Sequence, residues 1–193
     1  MPASQRRYDP DRRARIVRAA LDVIAERGVA ETTHRRVAAA ADVPLGSMTY
    51  HFATLDALLA DAFSLLADTV SARFTERLAA AATVDEAREA VVDLIVDESW
   101  ATPRNMLLSY ELYAYAARNP PLRRVMQAWM AQSQAALRRH FPPDTAKVLD
   151  AMIEGLSIHR SVDAEPMARD QIRAVVERLT ADPAGAVPGA GQR

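Results

Sequence analysis

The stretch Thr32-Thr33-His34-Arg35-Arg36-Val37-Ala38-Ala39-Ala40-Ala41-Asp42-Val43-Pro44-Leu45-Gly46-Ser47-Met48-Thr49-Tyr50-His51-Phe52 decides the fold of this chain. Thr32 and Thr33 offer hydroxyl caps for a short helix that turns Val37 and Ala38 inward and Arg35 and Arg36 outward. Asp42-Val43-Pro44 breaks that helix, and Pro44 is tolerated where the next one begins. The following helix spans about Leu45–Tyr50. Small side chains at Ala38 and Ala39 let a second helix cross closely, and Val43 supplies an apolar plug for the turn. Met48 and Phe52 anchor one face, which leaves Ser47, Thr49, Tyr50 and His51 on the other. Two such helices make a helix-turn-helix, whose second member must be short and polar on one side to enter a major groove about 12 Å wide.

Helical spacing of apolar residues continues on both sides of this stretch. Upstream, Val17, Ala20, Leu21 and Ile24 form one stripe, and Gly28 is placed to end that helix. Residues 1–9 are polar and read as an arm. Downstream, Thr54 caps a long fourth helix with Asp56 in its first turn, where a carboxylate meets the positive helix end. This helix runs through Leu58, Leu59, Ala62, Phe63, Leu66, Val70 and Phe74 to about Ala80. Further helices are expected at about 84–101, 103–118, 121–140, 143–161 and 166–180, separated by Pro103, Asn119-Pro120-Pro121, Pro142-Pro143 and Glu165-Pro166. Residues 181–193 are small and Pro/Gly-rich, and read as a disordered tail. No alternating run suggests a strand. The expected fold is all-α with about nine helices: a three-helix helix-turn-helix module over 1–53, joined through the long fourth helix to a helical bundle over 54–180.

Composition narrows the function. The 193 residues carry a formal net charge of −1, but residues 1–53 are mildly basic and the remainder acidic, which suits a nucleic-acid-facing module at the N-terminal end. Cysteine is absent, so disulfides, thiol catalysis and cysteine-ligated metals are excluded. His34, His51, His140 and His159 have no metal-type spacing, so no metal site is expected. No apolar run reaches the ~18–20 residues of a membrane span, and no leader peptide is visible, so a soluble, cytoplasmic protein is expected. No nucleophile–base pair, phosphate-cradling glycine loop or cofactor-binding motif is found, so neither an enzyme nor a resident cofactor is expected.

The joint pattern of Gly28, Thr33, Val37-Ala38, Val43, Gly46-Ser47-Met48, Tyr50-His51-Phe52 and Leu58-Leu59 resembles the tetracycline-repressor (TetR) family over the first 50–60 residues. The resemblance implies a homodimer on double-stranded DNA, with contacts from Thr33, Arg35, Arg36, Leu45, Gly46, Ser47, Thr49, Tyr50 and His51. This sequence departs from the family pattern at Asp42, Pro44-Leu45, Thr49 and Leu55. Two common phosphate-contacting lysines are therefore replaced by Leu45 and Leu55. Arg35, Arg36, Tyr50, His51 and the amides opening the fourth helix are expected to grip phosphate instead. The run Arg6, Arg7, Arg12, Arg13, Arg15 reads either as a solubilising charge run or as an arm reaching DNA.

The C-terminal part is richer in aromatic and Met residues than its Ala-Leu background. Ordinary core is the plain reading at helical spacing, and an adaptable effector pocket is the alternative. The pocket would be lined by Phe63, Leu66, Trp100, Met106, Tyr110, Glu111, Tyr113, Met126, Trp129 and Met130. It would take a small hydrophobic effector, cationic if Glu111 supplies a counter-charge between Tyr110 and Tyr113. The resemblance also implies a four-helix dimer interface from the last two helices, presented by Val148, Met152, Leu156, Ile172, Val176 and Leu179. The function so implied is a ligand-responsive regulator, a repressor reading a pseudo-palindromic operator. The alternatives are a helical DNA-binding protein without an effector and an all-α enzyme.

Overall fold

The computed structural model describes residues 9–97 and 101–181, and among them nine α-helices and no strand. They are α1 (Arg12–Arg27), α2 (His34–Ala40), α3 (Leu45–His51), α4 (Leu55–Ala79), α5 (Val84–Val96), α6 (Pro103–Ala116), α7 (Pro120–Leu137), α8 (Pro143–Arg160) and α9 (Arg169–Thr180). Most expected starts lie close to these because prolines and capping hydroxyls set them, but α5 ends at Val96 rather than about 101 and α9 begins at Arg169 rather than about 166. Pro103 and Pro143 stand in the first turns of α6 and α8, where a missing N–H costs nothing. Thr33, Thr83 and Thr102 accept hydrogen bonds from the amides of Arg36, Glu86 and Asn105 at the starts of α2, α5 and α6. One element was not anticipated, a 3₁₀ turn at Val29–Glu31. The expected tail at 181–193 and the arm at 1–9 fall almost entirely outside the described residues.

The chain forms two compact units. The first comprises Met1–Ala72 with Ala101–Ala131, and the second Arg73–Trp100 with Gln132–Arg193. The first unit thus continues past residue 53, where the sequence suggested a boundary. The reason is that α6 packs on α1, as α2 does. Ile16, Ala20 and Ile24 of α1, Val37 of α2, Met48 of α3 and Leu58, Ala62 and Phe63 of α4 are all completely buried there.

In the second unit α5 is the central helix and packs on both α8 and α9. Its Ala87, Val91, Val92 and Ile95 join Leu78, Leu137, Ala146, Leu149, Ile172 and Val176 in one apolar core. Around the rim, Arg169 and Arg173 of α9 pair with Glu89 of α5, and Arg169 also reaches Asp93. Arg88 donates to the Thr180 hydroxyl and carbonyl, which ties the end of α9 to α5. His140, in the connection after α7, lies 2.8 Å from the Leu78 carbonyl in the last turn of α4.

Candidate nucleic-acid interface

The helix-turn-helix assembles as its spacing requires. The turn between α2 and α3 needs one residue in the left-handed region, and Asp42 occupies it at φ 51°. Aspartate tolerates that conformation better than most side chains, which explains how this chain does without glycine there. The amides of Asp42 and Val43 then donate to the carbonyls of Ala39 and Ala38. From the other side, Arg15 of α1 donates to the Ala41 carbonyl at 3.0 Å and closes the open end of α2.

The second helix, α3, has seven residues and two faces. Met48 is 0% and Phe52 3% exposed, whereas Tyr50 is 84% and Leu45 47% exposed. Burying the two anchors at about 1.5–3 kcal/mol each holds so short a helix in place. On the open face, Gly46 and Thr49 are exposed, and Ser47 and His51 are half-buried. The Thr49 hydroxyl donates back to the Gly46 carbonyl at 3.2 Å. The His51 ring packs edge-on against Tyr50, with centroids 4.9 Å apart.

The arginines divide into two groups. Arg35 is exposed, and among the described residues it has no ion-pair partner. Arg36 is occupied: its guanidinium donates to the Glu31 carboxylate at 2.9 Å and to the Glu31 carbonyl at 2.5 Å. Arg12, Arg13 and Arg15 belong to α1 rather than to an arm. Arg12 and Arg15 pair with Asp9, while Arg13 pairs with Asp61 and lies 5.1 Å from the centre of the Phe52 ring. Desolvation alone would raise the Asp9 carboxyl. The hydrogen bond and charge of Arg15, helped by Arg12, outweigh it and hold the carboxyl below its ordinary value. These three arginines brace the module from within; Arg6 and Arg7 lie outside the described residues.

The expected effector residues, apart from Trp100, which lies outside the described residues, all stand on α4, α6 and α7 in the first unit. Phe63, Leu66, Met106 and Met126 are buried, Tyr110, Tyr113 and Trp129 half-buried, and Met130 exposed. Glu111 departs from the expected role. Its carboxylate accepts the backbone N–H of Val29 at 2.9 Å, so it is engaged with the chain that follows α1. Sequence gave no sign of this contact, which spans 82 positions.

The second unit carries a groove of about 410 Å³ lined by Arg77, Asp85, Glu86, Glu89 and Asp93 among others. None of the expected effector residues lines it. Its carboxylates already have partners in Arg77, Arg88, Arg169, Arg173 and the Ala82 amide, which makes it part of the scaffold. On the last two helices, Ile172 and Val176 are 0% exposed. They are sealed in the protomer's own core and have no surface to offer a second copy, which corrects their assignment to the interface. Val148 and Leu179 are exposed, and Met152 and Leu156 are half-buried.

Comparison with known proteins gives this geometry its context. Residues 16–62 match the model of bacterial regulatory proteins of the tetR family, and residues 81–182 match the tetracyclin repressor-like C-terminal domain. SCO7518 from Streptomyces coelicolor A3(2) has a solved structure 48% identical in sequence, with a TM-score of 0.86, covering 90% of this chain and 100% of that one. The multidrug binding protein EbrR, solved in complex with ethidium, is 34% identical with a TM-score of 0.72, covering 88% and 98%. The transcriptional regulator PksA of Bacillus subtilis is 27% identical over 180 residues, 86% of each chain. With one family model over the helix-turn-helix and a second over residues 81–182, more than half of the chain, the chain belongs to the TetR family and is a helix-turn-helix, DNA-binding transcriptional regulator.

Proposed function

We propose that the protein is a ligand-responsive repressor that binds a pseudo-palindromic operator as a homodimer and releases it when a flat aromatic effector enters the helical body. The observation that carries the DNA reading is α3 itself. Its apolar anchors are sealed while Leu45, Gly46, Thr49 and Tyr50 stand exposed on the other side. That is the arrangement a groove-reading helix needs. In this reading the exposed Arg35 and Tyr50 hydroxyl contact phosphate, and Thr33, which caps α2, fixes its first turn. Arg36, held by Glu31, contributes through the shape of that turn.

The effector class rests on Tyr110, Tyr113 and Trp129, half-buried on α6 and α7, and on the relative EbrR, solved with ethidium, proflavin and malachite green. Aromatic walls suit planar cations through the ring quadrupole. Glu111 is committed to Val29, so the aromatic faces carry this preference without it. The test is a labelled fragment of the DNA upstream of the gene. The protein should retard it, more weakly at high salt, and ethidium should release it with a coupling of roughly 5–150-fold in DNA affinity. Because ethidium intercalates, release must disappear in Trp129→Ala, which should bind the fragment normally. Release that is equal in both proteins contradicts the effector assignment, and failure to retard any upstream fragment contradicts the regulator reading.

A further inference from the structure

Glu111 stands on α6, the helix that packs against α1, yet its carboxylate is engaged with the chain leading into α2. Oε2 accepts the Val29 N–H at 2.9 Å. Oε1 lies 3.0 Å from where a Cβ on Gly28 would stand. Gly28 has φ +77°, so this residue is small for two reasons: the backbone turns left-handed, and a carboxylate approaches where a side chain would be. About two turns earlier on α6, Arg104 pairs with Asp22 of α1, so α6 is fastened both to α1 and to the turn that follows it.

From Val29 the hydrogen bonds run on without a gap. The Thr32 hydroxyl, in a residue 2% exposed, donates to the Gly28 carbonyl at 2.9 Å. Arg36 donates to the Glu31 carbonyl and carboxylate. Thr33 caps α2 through the Arg36 amide. The 3₁₀ turn and the first turn of α2 are therefore one hydrogen-bonded piece, with Glu111 as its fastening to α6. A backbone N–H bonded to a carboxylate is stronger than a neutral pair, so this contact is more than incidental packing.

We propose that Glu111 is a positioning residue for DNA binding: by holding the Val29 amide it fixes where the first turn of α2, with Thr33 and Arg35, meets the phosphate backbone. The role rests on the regulator reading above and adds to it a residue that touches neither DNA nor effector. A side chain at position 28 would also press on the Glu111 carboxylate, 3.0 Å from a Cβ there, in addition to the strain of its φ of +77°.

Operator affinity, thermal midpoint and hydrogen exchange at the Val29 amide should be measured in the wild type, Glu111→Ala, Glu111→Asp and Glu111→Gln. Removal of the acceptor should weaken DNA binding roughly tenfold and speed exchange at Val29. Glu111→Asp, too short to reach, should behave alike if the alanine variant folds poorly. Glu111→Gln keeps a carbonyl acceptor of the same length and should stay within about threefold of wild type. Gly28→Ala should also weaken binding, and less than additively with Glu111→Ala, because shortening the side chain relieves the clash. The proposal is overturned if folded Glu111→Ala binds DNA like the wild type, if Glu111→Gln is as defective as Glu111→Ala, or if Val29 exchange is unchanged. Should the wild type bind no operator, the regulator reading fails, and Val29 exchange alone then decides whether the fastening exists.

Discussion

At the scale of the residue, the two adjacent arginines have different tasks. Sequence placed Arg35 and Arg36 together on the outward side of α2, and both are exposed. The difference comes from Glu31, five positions back, which occupies Arg36 through carboxylate and carbonyl. Arg35→Ala should therefore weaken operator binding by about 1–2 kcal/mol and lower the slope of log affinity against log salt by about one, as loss of a phosphate contact does. Arg36→Ala should leave that slope nearly unchanged and act through a looser first turn. Fluorescence anisotropy at several salt concentrations separates the two, and equal slopes for both variants would contradict the division. The anchors Met48 and Phe52 were legible because helical periodicity alone puts them opposite Tyr50. Glu111 was not, since the features that mark it in a sequence, an acid between two tyrosines, are the same for a ligand counter-charge and for a bond to a distant amide.

At the scale of the element, helix ends were legible and inter-helix polar contacts were not. Prolines and threonines punctuate the chain through local rules, so α2, α5, α6 and α8 begin where those residues say they should. The roles of Arg13 and Arg15 depend on Asp61, Phe52 and Ala41, partners that no local rule names. The same holds for α7 and α8, where Gln134 donates to the Asp150 carboxylate at 3.1 Å. Burial pushes the Asp150 carboxyl above its ordinary value of 3.8, and Glu154 one turn on pushes the same way, against the Gln134 hydrogen bond. The folded chain thus holds this proton more tightly than the unfolded chain. The site favours folding most in acid, and that contribution is lost as pH rises from about 3.8 through the raised folded value. Asp150→Asn keeps an acceptor for Gln134 and removes the charge. It should melt higher than the wild type at pH 7, with the gain shrinking below pH 4. A gain that is the same at both pH values would show that the charge is not its cause.

At the scale of the whole molecule, the two-unit division shows what a helix-by-helix reading leaves out. Sequence separated the DNA-reading module from everything after residue 53, yet α6 packs on α1 in the first compact unit. A pairing between helices 76 positions apart, from Arg27 to Pro103 at the nearest, has no local signature. The proposed dimer shows the same limit. The stripes on α8 and α9 were visible, but α5 had already claimed the Ile172 and Val176 side of α9 for the protomer's core. What remains for a second copy is Val148 and Leu179 at 49% and 38% exposure, with the half-buried Met152 and Leu156, whose inner sides pack on the protomer's core. Val148→Arg combined with Leu156→Arg should shift the protein to monomer in sedimentation and weaken operator binding at least tenfold, because a two-fold protein gains its affinity from two half-sites at once. Ile172→Ala should instead lower the melting temperature, by about 2–5 kcal/mol of lost core stability, and leave any folded protein dimeric.

Selection from a random DNA pool asks whether α3 reads DNA sequence through its exposed face. The wild type should enrich a two-fold pseudo-palindrome, and the pair Thr49→Ala and Tyr50→Ala, which removes only exposed side chains and leaves Met48 and Phe52 in place, should abolish that enrichment while keeping the melting temperature. Enrichment of the same sequence by both proteins, or of none by the wild type, would contradict the account.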